Sequence, residues 1–296
     1  MSTDAGGPAT QPVAGPRYCY RHPDRETYIS CQRCGRSICP DCMTPASVGF
    51  QCPECLREGQ ASVRQPRTMA GGMMPDSIGL VTKVLIGINV LVFAAGFFDP
   101  GLSQDIGNNG AMIGTTVDYR QDFPPGVAEG GYWRLLTAAF IHSGIIHILF
   151  NMYALSIFGP MLEQTLGRAR FVAFYLSTAV AASAVVYLLS DPGVGTVGAS
   201  GAVFALFGAA IVLSVRRRMD PRPLLVLLAI NAVLTFTIPN ISWQGHLGGL
   251  VTGLLLAGAL FYAPRPRRTI LQVAAFGVVG IAVVAIVMVR TAALTG

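Results

Sequence analysis

Charge is scarce in this sequence. Asp, Glu, Lys and Arg make up 12% of its 296 residues, against 52% hydrophobic, too few to coat a soluble globule of that size. Cysteine is absent after Cys55, which confines its chemistry to the N-terminal head, and histidine occurs only as His22, His142, His147 and His246. The first residues, Met1 to Pro16, lack the basic-then-apolar pattern of a cleavable signal and are rich in Gly, Ala, Pro and Thr. That composition predicts a disordered N-terminus.

Seven apolar stretches follow, each close to the length that spans a hydrocarbon core of ~30 Å as helix. They run Leu80 to Phe98, Gly144 to Leu162, Phe171 to Leu189, Gly201 to Val215, Pro223 to Ile238, His246 to Ala263 and Ile270 to Val289. The predicted fold class is therefore an all-α polytopic membrane protein. A net charge of +6 would suggest nucleic acid in a soluble chain. Here the arginines flank membrane segments, so topology explains them and no nucleic-acid partner is expected.

Arg168 and Arg170, Arg216, Arg217, Arg218 and Arg222, and Arg265, Arg267 and Arg268 fall in three loops on one side. The other side carries the Asp99 to Trp133 loop, with Asp99, Asp105, Asp118, Asp122 and Glu129 against Arg120, and short loops around Asp191 and Trp243. The positive-inside rule then predicts a multi-pass protein of the cell membrane with a cytoplasmic N-terminus and an outward C-terminus.

The cysteine-rich head holds four pairs, each separated by two residues: Cys19/His22, Cys31/Cys34, Cys39/Cys42 and Cys52/Cys55. Such a pair turns both side chains toward one ion, and eight ligands make two tetrahedral zinc sites. An odd cysteine count, a histidine completing the set and a cytoplasmic placement argue against disulfides. Closed zinc sites hold inert thiolates, so the expected role is structural, with the metal supplying much of the folding free energy of so small a module. A cytoplasmic protein partner would suit such a head, but no residue identifies one. From Glu58 to Ser77 the sequence has no sustained period and reads as a linker.

The remaining histidines lie in or beside membrane segments, where ionisable residues are costly and default to functional candidates. Counting ~1.5 Å per residue from the cytoplasmic helix ends puts Ser200 at ~24 Å, His246 at ~26 Å, His147 at ~24 Å and Asn151 at ~18 Å. The Ser200 and His246 heights agree, several ångströms below the outer face, and His147 and Asn151 bring polar groups to a similar level. Ser200 sits in Gly198-Ala199-Ser200-Gly201 at a helix start, where small neighbours admit a substrate backbone and free amides stabilise an oxyanion. Alone, that motif equally describes ordinary helix packing.

Small stripes strengthen it. Gly201, Ala205 and Gly208 line one helix face, and Gly249 and Gly253 share a face with His246. If those faces meet, the imidazole is directed toward the helix that begins with Ser200 and can accept its proton. No acidic residue lies on the outer half of any segment, which predicts a Ser-His dyad without a third member. Phe204, one turn after Ser200, either packs on the imidazole or faces lipid. His147 and Asn151, spaced i and i+4, either donate jointly to a developing oxyanion or join helices. Asn89 and Asn231, inside apolar segments, read as interhelical hydrogen-bond partners.

Taken together, His142, His147 and Asn151, the Gly198-Ala199-Ser200-Gly201 run with Ala205 and Gly208, and His246 with Gly249 and Gly253 resemble the rhomboid family of intramembrane serine proteases. Trp133-Arg134, and Glu163 with Gly167, also match its pattern, and the resemblance covers most of residues 80 to 263. It implies Ser200 as nucleophile and His246 as base. It further implies His147 and Asn151, with the Ser200 amide, as oxyanion stabilisers, supported by His142. Phe204 stands where many members carry a Tyr stacked on the catalytic His. The implied reaction is hydrolysis of peptide bonds in or near transmembrane segments of other membrane proteins, within the bilayer and with no catalytic cofactor.

The head resembles a B-box zinc finger, which implies that the first and third pairs share one ion and the second and fourth the other. The predicted domains are a disordered 1–16, a zinc-binding 17–57, a linker 58–78, a six-helix protease core 79–263 and a seventh helix with tail, 264–296. Two rival functions remain. One is a catalytically silent rhomboid-like scaffold, against which stand both Ser200 and His246. The other is a transporter, against which stands the lack of intramembrane carboxylates and of inverted repeats.

Overall fold

The computed structural model describes residues 16–62, 66–116 and 123–296. The stretch 1–15 expected to be disordered, residues 63–65 of the linker, and Asp118, Arg120 and Asp122 lie outside the described residues. Contacts divide the chain into two compact units, the second beginning at Pro66.

In the first unit two short antiparallel ribbons precede one helix. Strand β1 (Arg17–Tyr18) pairs with β2 (Glu26–Thr27), in register Arg17 opposite Thr27, and β3 (Thr44–Pro45) pairs with β4 (Phe50–Gln51), in register Thr44 opposite Gln51. Helix α1 runs Pro53–Ser62. Its buried cluster is six of the cysteines with Ile38, far less apolar area than a domain needs to fold on its own core.

The second unit is helical: α2 (Leu80–Phe98), α3 (Pro100–Gly110), the single turn α4 (Arg134–Thr137), α5 (Ile145–Leu166), α6 (Arg168–Leu189), α7 (Ser200–Arg216), α8 (Arg222–Thr237), α9 (Trp243–Tyr262) and α10 (Arg268–Thr295). Among the described residues five candidate spans, four coinciding with α2, α5, α6 and α9 and the fifth, Arg265–Thr295, containing α10, are long and apolar enough to cross a membrane. Helices α7 and α8 are apolar but have 17 and 16 residues, the short end of a spanning length. The seven apolar stretches thus all appear as helices, and the fold is that of a polytopic all-α membrane protein.

Helix ends show what sets these boundaries. Helix α2 has no side-chain cap of its own at Gly79. Instead Glu163, fully buried near the end of α5, accepts from the amides of Val81 and Thr82 and from the Thr82 hydroxyl, each at 3.0 Å. An anion there satisfies orphan amides and the positive helix end together. At α9 the Ser242 hydroxyl caps the Gly245 amide at 3.2 Å.

Two stretches differ from expectation. The Asp99 to Trp133 segment is not all loop: α3 occupies its first part because Asp99 caps the amides of Gly101 and Leu102 and Pro100 takes the first helical position. The expected linker is ordered at both ends: Glu58 to Ser62 complete α1, and its later part belongs to the second unit. Arg67 bridges to Met73 in a tight turn whose Ala70 is fully buried, its amide bonded to the Thr165 carbonyl and its own carbonyl to Gln272 Nε2. Small side chains and Gly71 at φ 86° suit that turn, and a single turn has no period to detect.

Candidate active site and metal-ligand clusters

Helices α7 and α9 meet through their small faces. A methyl group added at Gly249 would overlap the Gly201 carbonyl oxygen, and one at Gly253 would overlap the Ala205 backbone. One at Gly208 would come within 3.1 Å of the Leu250 carbonyl. The backbones are therefore in direct contact, as the two stripes require, and the helices run in the same direction with Gly245 beside Gly201. Helix α9 also lies on α6, where Gly248 faces Val185.

This packing sets His246, one turn before Gly249, beside the first turn of α7, which starts at Ser200. The imidazole stacks on Phe204, with ring centroids 3.9 Å apart and planes at 14°. Of the two readings of Phe204, packing on the imidazole is the one observed.

Spacing did not single out Thr235 of α8. Its hydroxyl lies 2.7 Å from His246 Nδ1 and 2.7 Å from the Asn231 carbonyl oxygen, and it is the only buried residue of α8.

On α5, His147 Nδ1 lies 3.0 Å from the Ser143 hydroxyl. Its Nε2 turns toward Gly198: a methyl at Gly198 would sit 2.6 Å from Nε2 and 3.7 Å from Ser200 Oγ. Gly198 has φ 130°, which favours glycine, so backbone conformation and space both require it. The rings of His142 and His147 meet edge to face at 5.0 Å, and His142 is buried. Asn151 is buried and donates from Nδ2 to the His147 carbonyl at 2.9 Å. A carboxamide nitrogen carries two protons, so one stays free for a further acceptor.

Asn89 Nδ2 and Asn231 Nδ2 donate to Leu85 and Leu227 carbonyls, one turn back on their own helices.

Behind Ser200 lies a small cavity lined by Gly198, Ser200, Ser183, Ser242, Gly245 and Met112, large enough for ordered water. Ser183 and Ser242 carry no motif that marks them. The segment before α5 is built around Arg134, fully buried, which donates to the carbonyls of Pro125, Ala111, Asn108 and Pro124 at 2.6 to 3.0 Å. Trp133 Nε1 donates to the Asn109 carbonyl at 2.8 Å.

In the first unit two groups gather ligand atoms that all lie within 4.8 Å of one another: Cys19, His22, Cys39 and Cys42, and Cys31, Cys34, Cys52 and Cys55. First with third pair and second with fourth is the arrangement the B-box resemblance implies. His22 Nδ1 lies 3.3, 3.4 and 3.8 Å from the sulfurs of Cys39, Cys42 and Cys19, and Cys34 Sγ lies 3.8 Å from Cys52 Sγ. A tetrahedron with metal–sulfur bonds of ~2.3 Å has edges of ~3.8 Å, so each group could hold a metal ion. All seven cysteines are free thiols.

The electrostatics of each cluster also call for a cation. Burial opposes the Cys19 and Cys31 thiolates, but backbone amides outweigh it and bring each down to about 6. Burial and neighbouring thiols push Cys42 up to about 11 and Cys55 up to about 12. Without a metal, neighbouring thiols of a site oppose each other's ionisation.

A family model described as the Rhomboid domain matches residues 129–263. The "Putative rhomboid protease YdcA" of Bacillus subtilis is 36% identical over 137 residues, covering 45% of this chain and 69% of that protein. Rhomboid protease GluP of the same organism is 36% identical over 139 residues, 45% of this chain and 27% of that protein. RHOMBOID-like protein 5 of Arabidopsis thaliana is 31% identical over 147 residues, 47% of each.

Proposed function

The chain belongs to the rhomboid family, and from that premise we propose that it is an intramembrane serine endopeptidase with Ser200 as nucleophile and His246 as general base. The observation that carries the reading is the interlock of Gly249 and Gly253 with Gly201 and Ala205, together with the stacking of His246 on Phe204. A base must reach the hydroxyl it deprotonates, and backbone contact between Gly201, next to Ser200, and Gly249, one turn from His246, is the closest approach two helices can make.

In the proposed reaction Ser200 Oγ attacks the scissile carbonyl while its proton passes to His246 Nε2. The tetrahedral oxyanion accepts from the Ser200 amide, from His147 Nε2 and from the free Nδ2 proton of Asn151. His142 supports His147 through its edge-to-face contact. The proton on His246 then goes to the leaving amine, and water, activated by the same imidazole, hydrolyses the acyl-enzyme. Substrates on this reading are transmembrane segments of other membrane proteins, reached within the bilayer from the outer side, with the N-terminus cytoplasmic. Residues 79–263 form the protease core, and 264–296 add a seventh helix.

We read both cysteine-containing clusters as structural zinc sites of a B-box-like head, since each donor set is soft and supplies the four protein ligands of a structural site. Zinc would neutralise the thiolates and hold the ribbons together. No catalytic step involves it.

A serine-directed fluorophosphonate or isocoumarin tests the main claim. It should label the purified protein in detergent, and Ser200→Ala should abolish labelling together with cleavage of a transmembrane substrate. A wild type that takes no label would favour a silent membrane-protein scaffold.

A further inference from the structure

Resting on Ser200 and His246 as nucleophile and base, we propose that Thr235 is the positioning residue that fixes the tautomer and orientation of His246, the task a buried carboxylate performs in a triad. The base needs its lone pair on Nε2 and its proton on Nδ1. Helices α7, α8 and α9 contain no Asp or Glu to impose this.

Stacking on Phe204 fixes the plane of the imidazole but not its state. A half-turn about the Cβ–Cγ bond exchanges Nδ1 with a carbon and returns the ring to the same plane, leaving the stack intact. Either tautomer stacks equally well. Thr235 removes both freedoms, because its oxygen is a partner only for a nitrogen in the Nδ1 position, at 2.7 Å.

The proton count then selects the tautomer. A hydroxyl carries one proton, and a carbonyl oxygen can only accept. With Thr235 Oγ1 also 2.7 Å from the Asn231 carbonyl oxygen, both contacts are hydrogen bonds only if the hydroxyl donates to Asn231. Nδ1–H of His246 must then donate to Oγ1. Nε2 is left unprotonated as the base.

Once Nε2 has taken the Ser200 proton, the imidazolium still donates from Nδ1. The same bond persists and becomes charge-assisted, with no rearrangement between ground state and intermediate. A hydroxyl gives less electrostatic stabilisation than a carboxylate. It also buries no charge, which matters inside a hydrocarbon layer.

The bland account of Thr235 is a threonine bonded back to its own helix, common in membrane helices. That account leaves unexplained why the one residue α8 buries is the one against the imidazole. It also requires nothing of the Nδ1 contact.

The test compares Thr235→Val, nearly isosteric without the hydroxyl, with Thr235→Ser, which restores it. Each is made in the full chain and assayed on a transmembrane peptide substrate. Thr235→Val should lower kcat about 10- to 100-fold with KM within about twofold, and Thr235→Ser should recover most of kcat. In ¹⁵N NMR of histidine-labelled protein, the Nδ1–H signature of His246 should be present in wild type and Thr235→Ser and lost in Thr235→Val.

Wild-type kcat in Thr235→Val, or equal damage from Val and Ser, would overturn the proposal while leaving the protease reading in place. A wild type that neither cleaves nor takes a fluorophosphonate would remove both. Should Thr235→Val fail to fold, as its thermal midpoint would reveal, Thr235→Ala against Thr235→Ser makes the same comparison: recovery of kcat by Ser alone supports the proposal, and equal damage overturns it.

Discussion

The α-carbon of Gly249 faces the Gly201 carbonyl so closely that no side chain fits between them. Gly249→Ala must therefore push α9 away from α7, and His246, one turn earlier, moves with it. Overpacking of this kind costs about 1 to 3 kcal/mol. We expect a lower thermal midpoint and loss of fluorophosphonate labelling at Ser200. Gly258, on the same helix with nothing within 4 Å, is the control: Gly258→Ala should keep both.

Gly198 links the loop before α7 to His147. A methyl there meets His147 Nε2 at 2.6 Å on a backbone with φ 130°. Gly198→Ala should displace His147, the proposed oxyanion donor, and strain the turn before Ser200. A lost oxyanion donor costs about 10²- to 10³-fold in kcat. A steady-state assay should find a fall of that order, and a fall under threefold would remove His147 from the proposed oxyanion site.

The parts of the site that follow from spacing along one helix were legible in the sequence. The stripes on α7 and α9, and Ser200 at a helix start, need only the 3.6-residue period and a count of small residues. Thr235 was not legible, because Thr-Phe-Thr-Ile near the end of an apolar segment is ordinary and its role arises only where α8 meets α9. Glu163 could be placed at the acidic end of its helix, but its work as the cap of α2 depends on a contact more than 80 residues away along the chain. Helix α3 had a signal, Asp99-Pro100, that hydrophobic length alone passes over. Ser183 and Ser242 line the cavity beside Ser200 for reasons that only the packing of α6, α7 and α9 supplies.

Glu163 provides a test of stability apart from catalysis. Its two carboxylate oxygens accept three hydrogen bonds from Val81 and Thr82. Glu163→Gln keeps the shape but turns an amide group, which cannot accept, toward one set of donors. Leaving a buried amide unsatisfied costs about 1 to 3 kcal/mol. The thermal midpoint in detergent should fall, while end-point labelling of Ser200 at low temperature should match wild type. An unchanged midpoint would show that the start of α2 contributes little to the fold.

Metal removal should separate the head from the protease chemistry. With two complete ligand sets, elemental analysis of purified protein should find about two zinc ions per chain, following the four-ligand rule for structural sites. His22→Ala removes one donor from the first set and should bring the content to about one, because Cys31, Cys34, Cys52 and Cys55 do not share it. A strong chelator should take both ions and unfold the head, since its buried cluster is otherwise little more than the thiols themselves and Ile38. Proteolysis between residues 16 and 62 should then become rapid, while fluorophosphonate still labels Ser200. Finding no metal in protein purified without chelator would refute the zinc assignment. Loss of labelling on chelation would instead show that the head acts on the protease core.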